Sequence, residues 1–296
     1  MLSAYDQLLD ATIQHLQELS RHGSRYVPVS KETLARLKTP VQPAPAIIPA
    51  ARVMSRAPVS PPATSRISPA PLMAEAVPVA AAAPALDPAA KAAAFDQLRE
   101  RAHACVKCTH LAGSRKNVVF GVGDIHSHLM FVGEAPGADE DAQGEPFVGA
   151  AGQLLTKIIQ TMGFNREQVY IANILKCRPD MPPGSSGNRK PSPEELQTCI
   201  PFLHSQIDLI QPRVLVALGG VAMEGLLGKS GITKLRGQWQ TYRGIPLMPT
   251  FHPSYLLRTL SPVDKRHVWE DMLAVLEKLG LAVSEKQRGF FLPRAQ

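Results

Sequence analysis

The sequence predicts an α/β fold, a three-layer αβα sandwich around a short, mainly parallel four-stranded sheet. Two observations lead to this prediction. From residue 92 onward, short apolar runs alternate with stretches of helical periodicity. The runs are apolar throughout, as in parallel strands buried on both faces. Such alternation places the strands parallel, with helices on both sides of the sheet and ligand sites at the carboxyl ends of the strands.

The first 91 residues are expected to lie outside this fold, as a disordered N-terminal extension. Residues 1–38 place leucine and isoleucine side chains at spacings of one, three and four, which predicts a short amphipathic helical segment. Residues 39–91 hold 12 of the 27 prolines and 16 alanines. A segment with so few large apolar side chains does not offset its ordering entropy, so we predict a disordered Pro/Ala-rich linker. The helix either docks on a partner protein, or associates with itself, or is only weakly ordered.

Residues 92–282 are predicted to form the folded domain, and residues 283–296 a C-terminal tail. The predicted strands are His128–Gly133, Val169–Leu175, Arg213–Gly219 and Ile245–Phe251. The predicted helices are Ala93–Ala104, Gly149–Met162, Ser192–Gln211, Val221–Leu227 and Val263–Leu279.

The charge of the chain suits a polyanionic partner. The formal net charge is +7, and beyond Ala90 there are 24 basic and 19 acidic residues. Many ordinary enzymes are equally basic, so charge alone favours nucleic acid only weakly. No apolar run approaches the roughly 20 residues that span a bilayer, and Asp6 and Asp10 interrupt the position of a signal-peptide core. We expect a cytoplasmic monomer with no membrane partner.

Four cysteines form the first candidate site: Cys105, Cys108, Cys177 and Cys199. All four lie in the predicted domain, and two residues separate the first pair. In a reducing cytosol, such a quartet indicates metal ligands rather than disulfides, with free core thiols as the alternative. Zinc and an iron–sulfur cluster both accept four thiolates, so the ligand count leaves both open. The 21 residues between Cys177 and Cys199 form a looser spacing than a compact zinc ribbon has.

The polar motifs of the domain each follow a predicted strand. The first strand leads into Gly133–Asp141 (GEAPGADED) and then Gly144–Gly149 (GEPFVG). The second leads into Asn173–Pro179 (NILKCRP), and the fourth into His252–Arg258 (HPSYLLR). A carboxylate, an aromatic ring, an amide and an imidazole therefore converge from three strand ends.

In these motifs the chain resembles the family 4 uracil-DNA glycosylases, the iron–sulfur branch of that superfamily. The resemblance covers about Phe95 to Leu279, and the motifs, with ITKLRGQ at Ile232–Gln238, occur in family order alongside the four cysteines. It implies an enzyme that flips uracil out of single- or double-stranded DNA and hydrolyses its N-glycosidic bond, leaving an abasic site for base-excision repair. It also implies a structural 4Fe–4S cluster bound by the four cysteines.

The resemblance assigns the uracil-binding residues. Asn173 would accept from N3–H and donate to O4 through one side-chain amide, a pattern that cytosine reverses. Phe147 would stack on the flipped base. Glu140 would exclude the methyl group of thymine, and Ala135 lies in the uracil-binding loop, where the better-known family 1 carries an aspartate.

The same resemblance assigns the catalytic pair. His252 would donate to uracil O2, where negative charge develops, and backbone amides after Glu134 would add to this stabilisation. Glu134 would orient the attacking water and favour the cationic sugar. The alternative for His252 is a surface histidine that caps a helix.

The resemblance also implies a DNA-binding segment. Leu257 lies in the segment that enters the minor groove and fills the gap left by the flipped base, and Arg258 would hold a phosphate. Ser254 and Lys234 are expected to make further backbone contacts, although a solvated surface position is the alternative for Lys234. Residues 1–38 lie outside the resemblance, and we separately expect the N-terminal helix to recruit a repair or replication protein.

One departure from the family lies between Cys177 and Cys199. That loop is longer than usual, with Met181–Gly187 as the apparent insertion. A related branch that traps DNA covalently carries a nucleophilic histidine there, whereas this chain has Asn188–Pro191 (NRKP), so covalent trapping is not expected. A non-catalytic nucleic-acid-binding iron–sulfur protein is the alternative of a different class. The complete set of Glu134, Phe147, Asn173 and His252 favours the enzyme.

Overall fold

The computed structural model of the chain describes residues 87–182, 185 and 187–292. The helical segment expected over residues 1–38 and nearly all of the expected linker therefore lie outside the described residues.

Within the described part of the chain, six strands form one mixed sheet in the order β1-β3-β2-β4-β6-β5. The strands are β1 (Val122–Gly123), β2 (Leu129–Gly133), β3 (Tyr170–Asn173), β4 (Val214–Leu218), β5 (Gln240–Tyr242) and β6 (Ile245–Thr250). The α/β class is confirmed, and the four central strands are parallel. The prediction of a four-stranded sheet is wrong because β1 and β5 add antiparallel edges. Strand β1 has only two residues, and β5 has three that include Gln240 and Thr241, so neither forms an apolar run.

The helices lie between and after these strands. They are α1 (Pro88–His103), α2 (Thr109–Ser114), α3 (Ala138–Gln143), α4 (Ala150–Met162), α5 (Pro193–Ile210), α6 (Gly220–Leu227), α7 (Ile232–Leu235), α8 (Pro253–Thr259), α9 (Pro262–Lys278) and α10 (Glu285–Arg288). A single 3₁₀ turn, Arg166–Gln168, precedes β3. The sequence predicted the longer helices to within a few residues, but not the shorter ones, which lack enough turns for an apolar periodicity. None of the described helices has the length and apolar character needed to cross a membrane.

The sheet separates two hydrophobic cores. On one face the strands pack against α1, α5 and α6, and on the other against α4 and α9. Successive residues of β2 alternate between them: Met130 and Val132 belong to the first core, Leu129 and Phe131 to the second. Because both faces are buried, the polar groups of the central strands collect at the strand ends.

The ordered domain extends beyond the expected boundaries at both ends. Helix α1 begins at Pro88, with the Asp87 side chain capping its first turn. After α9 the chain folds back, and the Trp269 indole N–H donates to the Gln287 carbonyl (2.6 Å). Arg266 donates to the carbonyls of Arg288 and Phe290, both at 2.7 Å. Much of the segment expected to be a tail is therefore packed on α9.

Candidate active site

A cavity of about 790 Å³ opens at the carboxyl ends of the parallel strands. Eight of the sequence-predicted site residues line it: Glu134, Ala135, Glu140, Phe147, Asn173, His252, Ser254 and Arg258. The size suits a flipped base with its sugar. The parallel topology brings these residues together from positions more than a hundred residues apart in the chain.

Asn173 is the last residue of β3 and only 2% exposed. Its side-chain Oδ1 is buried and has no hydrogen-bond partner among the described residues. Gly133 is its partner in β2, and a Cβ at position 133 would overlap both this oxygen and the Phe147 ring. The missing side chain therefore lets the amide and the ring approach each other. An unpaired buried oxygen costs about 1–3 kcal/mol, so its presence indicates a ligand that completes it.

Phe147 is buried in the wall of the cavity in a left-handed backbone conformation, with φ of 54°. Such a conformation costs roughly 1–3 kcal/mol for a residue with a side chain, and it persists only where the surroundings enforce it. The ring centroid lies 5.6 Å from that of His252, with 33° between the planes. The aromatic ring and the imidazole, together with Asn173, thus border one part of the cavity, the base slot.

Glu140 joins the two loops that frame the slot. Its Oε2 accepts from the backbone N–H of Gly137 (3.1 Å), and its Oε1 from those of Val148 and Gly149, both at 3.0 Å. Because three amides already satisfy this carboxylate, Glu140 forms a rigid wall rather than a free base.

His252 stands at the N-terminus of α8, and its Nδ1 accepts from the Ser254 backbone N–H at 3.1 Å. The Ser254 hydroxyl lies 2.8 Å from the same nitrogen. Burial lowers the pKa of His252 to about 4, and the Arg258 charge adds to this shift. The imidazole is therefore neutral at physiological pH, and since Nδ1 accepts, its proton resides on Nε2.

Glu134 follows β2 directly and is half-buried at the cavity edge. Burial raises the pKa of Glu134, while the Lys190 ammonium opposes the shift. Lys190 comes from the long loop between Cys177 and Cys199, which also contributes Asn188 to the lining. The sequence analysis did not anticipate this contribution.

The residues expected to bind DNA occupy different settings. The Ser254 hydroxyl is engaged with His252, and Arg258 Nη1 lies 3.4 Å from that hydroxyl. Leu257 is 41% exposed on α8, outside the cavity lining. Lys234 is exposed on α7 and also stands outside the lining. The apolar exposure of α8 continues through Leu260 and Val263.

The four cysteines gather beside this cavity. Cys177 and Cys199 are buried with Leu111 and Leu175, and the partly buried Cys108 and Ala135 pack against them. Burial raises the pKa of Cys108, Cys177 and Cys199, that of Cys199 to about 11, and Cys105 raises all three further. Because burial opposes the ionisation of Cys108, Cys177 and Cys199, their thiolates would be stabilised by a shared cation or cluster. Ala135 also lines the cavity, so it separates the cysteines from the base slot.

Two N–H groups point at the sulfur atoms. Arg115 Nη1 donates to Cys177 Sγ at 3.1 Å, and the Lys176 backbone N–H donates to Cys199 Sγ at 3.2 Å. The side chain of Lys176 turns into the core, where its ammonium donates to the Asn173 carbonyl (2.8 Å) and to Gln206 (2.6 Å). Burial lowers the pKa of Lys176 to about 7.

An ion-pair network, which sequence reasoning missed, surrounds the cysteines. Arg189 donates to the buried carboxylate of Glu195 and to Asp180, and His110 Nε2 lies 2.8 Å from Glu195. His110, Asp180 and Glu195 could hold a metal ion by proximity, but the Arg189 guanidinium already balances them. Only the capping box from Ser192 to Glu195 is visible in the sequence. The partners of Glu195 come from distant segments.

Comparison with known proteins agrees with this geometry. A sequence profile of the Uracil DNA glycosylase superfamily matches residues 120–273. A Type-4 uracil-DNA glycosylase of Thermotoga maritima is 46% identical over 179 residues, which are 58% of this chain and 88% of that protein. The Type-4 enzyme of Sulfurisphaera tokodaii is 38% identical over 66% of this chain and 87% of its own. That of Archaeoglobus fulgidus is 35% identical over 67% and 98%.

Proposed function

The chain belongs to the uracil-DNA glycosylase superfamily and to its type-4 family, and on this premise we propose that it flips uracil out of DNA and hydrolyses the N-glycosidic bond. The product is an abasic site for base-excision repair. The observation that carries the proposal is the unpaired Oδ1 of Asn173, buried in the cavity beside Phe147.

Asn173 supplies the base recognition. Its Oδ1 accepts the uracil N3–H, and its amide N–H donates to O4. Cytosine offers an unprotonated N3 and an amino group at these positions. The Asn173 oxygen would then face another acceptor, and its amide N–H would face another donor. A mismatch of this kind is strongly rejected because buried polar groups remain unpaired. The Phe147 ring supplies a stacking surface worth about 1–3 kcal/mol for a base.

Thymine is excluded by the wall that Glu140 forms. The carboxylate of Glu140 has no freedom to move away from a methyl group, since three backbone amides hold it. Ala135 completes the pocket from the side of the cysteines.

Bond cleavage requires stabilisation of two opposite charges. As the C1′–N1 bond breaks, its electron pair leaves on uracil, and the Nε2–H of neutral His252 donates to O2 without giving up its proton. The ionised Glu134 stabilises the positive sugar and orients a water whose oxygen bonds to C1′. Glu134 then takes up the proton released by that water.

The DNA backbone would contact the surface around α8. Leu257, exposed at the tip of this surface, would fill the space that the flipped base leaves, and Arg258 would pair with a phosphate. Lys234 adds positive charge from α7. Ser254 positions His252 through its hydroxyl and backbone N–H. A contact between Ser254 and a phosphate would be a second role, beside its contacts with His252.

The four cysteines would bind a 4Fe–4S cluster. Cys177 and Cys199 are buried, and Cys105 and Cys108 are half-buried, so a group bound by the four thiols would be largely shielded from water. Similarity to the type-4 enzymes supports a cluster rather than a zinc ion. The N–H donors at Cys177 and Cys199 suit cluster ligation. Since hydrolysis needs no electron transfer, the role of the cluster would be structural. It would link the segment after α1, with Cys105 and Cys108, to Cys177 and to Cys199 in α5.

For the remainder of the chain we propose that residues 1–38 recruit a repair or replication protein, tethered by residues 39–91. The enzyme itself would act as a cytoplasmic monomer. Deleting residues 1–86 should leave turnover on a short oligonucleotide nearly unchanged, and a collapse of activity would place those residues in the catalytic domain.

An oligonucleotide with a single uracil tests the main proposal. After incubation with the protein, alkali should break the strand at the uracil, and strands without alkali should stay intact. A matched oligonucleotide with thymine should resist. Binding of the uracil strand without scission would overturn the proposal in favour of a non-catalytic nucleic-acid-binding iron–sulfur protein.

A further inference from the structure

Phe147 owes its unusual backbone to polar groups that hold the peptide units on either side of its ring. Phe147 has a positive φ, which is rare for a residue with a Cβ. Its backbone would return to extended or helical geometry unless the neighbouring peptide groups were held by other contacts. The ring stacks on uracil in the proposed function, so whatever holds the backbone also sets the stacking surface.

The Arg166 guanidinium holds the carbonyl side of Phe147. Its Nη1 donates to the Phe147 carbonyl (3.1 Å), and its Nη2 to the preceding carbonyl of Pro146 (2.8 Å). The same Nη1 lies 3.2 Å from Thr156 Oγ1, on α4. One planar guanidinium thus fixes two successive carbonyls in a fork geometry that lysine cannot reproduce.

The other side of the same residue is held as well. Glu140 accepts the N–H groups of Val148 and Gly149, which follow the ring. Gly152 lets the first turn of α4 approach, because a Cβ there would overlap the Phe147 carbonyl. The backbone at Phe147 is therefore held by hydrogen bonds at its own carbonyl and at the next two N–H groups. Arg166, which binds the carbonyl, lies in the 3₁₀ turn just before β3.

We infer that Arg166 is a positioning residue for base stacking, acting through Phe147. Arg166 is half-buried and absent from the cavity lining, so it does not touch the base. Its 3₁₀ turn leads into β3, whose last residue is Asn173. Arg166 thus connects the element that reads the uracil edge to the loop that covers the uracil face. This inference rests on the proposed function.

The test combines Arg166→Met with Phe147→Ala. In the otherwise unchanged chain, Arg166→Met should lower kcat/KM on uracil DNA and raise the inhibition constant of free uracil, each by about tenfold. In the Phe147→Ala background it should change both by less than about twofold, because the residue through which it acts is gone. An equal loss in both backgrounds would overturn the inference and leave Arg166 a general stabilising residue.

Arg266→Met is the matched control. Arg266 also donates to two backbone carbonyls, but on the C-terminal segment and outside the cavity lining. It should lower the melting temperature and leave the uracil inhibition constant unchanged. Arg166→Lys presents a single ammonium nitrogen in place of the planar fork, and it should fall between wild type and Arg166→Met. It replaces Arg166→Met if that variant does not fold. Wild-type inactivity would refute the proposed function, whereas an active wild type with equally active Arg166 variants would refute this inference alone.

Discussion

The base slot and the cysteine region lie side by side, and they differ in the hydrogen bonding of one buried polar side chain in each. These side chains are Asn173 in the slot and Glu195 near the cysteines. In the slot, Asn173 Oδ1 is buried without a partner among the described residues, and His252, whose Nδ1 accepts from Ser254, lines the cavity. Around the cysteines, the carboxylate of Glu195 meets Arg189, His110 and a backbone N–H. Asn173 thus keeps a hydrogen-bond acceptor for a ligand, whereas the Glu195 carboxylate is satisfied by the protein. Arg178 Nε, directly after Cys177, is also buried without a partner among the described residues. Ala135 belongs to both regions and marks the boundary between them.

The largest effect is expected from Asn173→Ala. Removing the amide should lower kcat/KM for uracil excision on the order of 10³-fold, while the melting temperature should stay nearly constant because Oδ1 has no protein partner to lose. Asn117→Ala is the matched control, since the Asn117 amide donates to the carbonyls of Asp141 and Ala142. It should cost more stability than Asn173→Ala and far less activity. Equal losses of stability would contradict the distinction between an unpaired side-chain amide and one that the protein itself pairs.

Glu134→Gln should lower the single-turnover rate by roughly 10²-fold. Because burial raises the pKa of Glu134, the wild-type rate should fall on the acid side at a pH above the ordinary carboxyl range, and this acid limb should be absent in the variant. His252 should produce no inflection near pH 6.5, since its pKa is about 4. An inflection near 6.5 that survives in Glu134→Gln would show that His252 titrates normally.

The lowered pKa of His252 also has a consequence for stability. The unfolded chain protonates this imidazole near its ordinary pKa of about 6.5, whereas the folded chain does so only near 4. Its contribution to stability is therefore complete at neutral pH and declines as the pH falls from about 6.5 to about 4. Urea unfolding of wild type and His252→Gln across this range should show a steeper decline for wild type.

Cys177→Ser tests the scaffold. It should lower the melting temperature by about 5 °C or more and reduce bound iron and sulfide. The wild-type protein, prepared without oxygen, should contain iron and inorganic sulfide in about a four-to-four ratio, and a single zinc ion instead would contradict the cluster. Any Cys177→Ser protein that retains the cluster should excise uracil at a rate close to wild type, because the ligand lies outside the slot.

The smallest effect is expected from Arg189→Met. Loss of the guanidinium leaves the buried Glu195 carboxylate with His110 and the Ser192 amide, at a cost of about 1–3 kcal/mol in unfolding free energy. The loop between Cys177 and Cys199 should loosen, and a chelator should remove iron faster. Arg243→Met, at an exposed ion pair with Asp208, is the control and should change neither property. Unchanged iron release in Arg189→Met would show that the network does not hold this loop.

The sequence by itself determined the central sheet and most of the slot. An apolar run followed by polar residues marks the end of a buried parallel strand, and Glu134 and His252 lie just beyond two such ends. Asn173 lies within the predicted strand Val169–Leu175, and the structure ends that strand at Asn173. Parallel strands place their carboxyl ends on one edge, so convergence followed without coordinates. The four cysteines could also be recognised in the sequence, because the chain has only four and a set of four cysteines in a reducing compartment indicates metal ligands.

Only the tertiary structure decided the features that depend on contacts between distant segments. His110 and Glu195 are 85 residues apart, and Arg166 reaches back 19 residues to the Phe147 carbonyl. No local pattern encodes either pairing, since a charged side chain reads as a solvated surface residue until its partner is known. The edge strands were likewise not visible in the sequence. Nor was the position of the His252 proton, which lies on Nε2 because Nδ1 accepts the Ser254 backbone N–H. Periodicity reports what a segment buries, whereas the partner of a polar group is set by the packing of the whole chain.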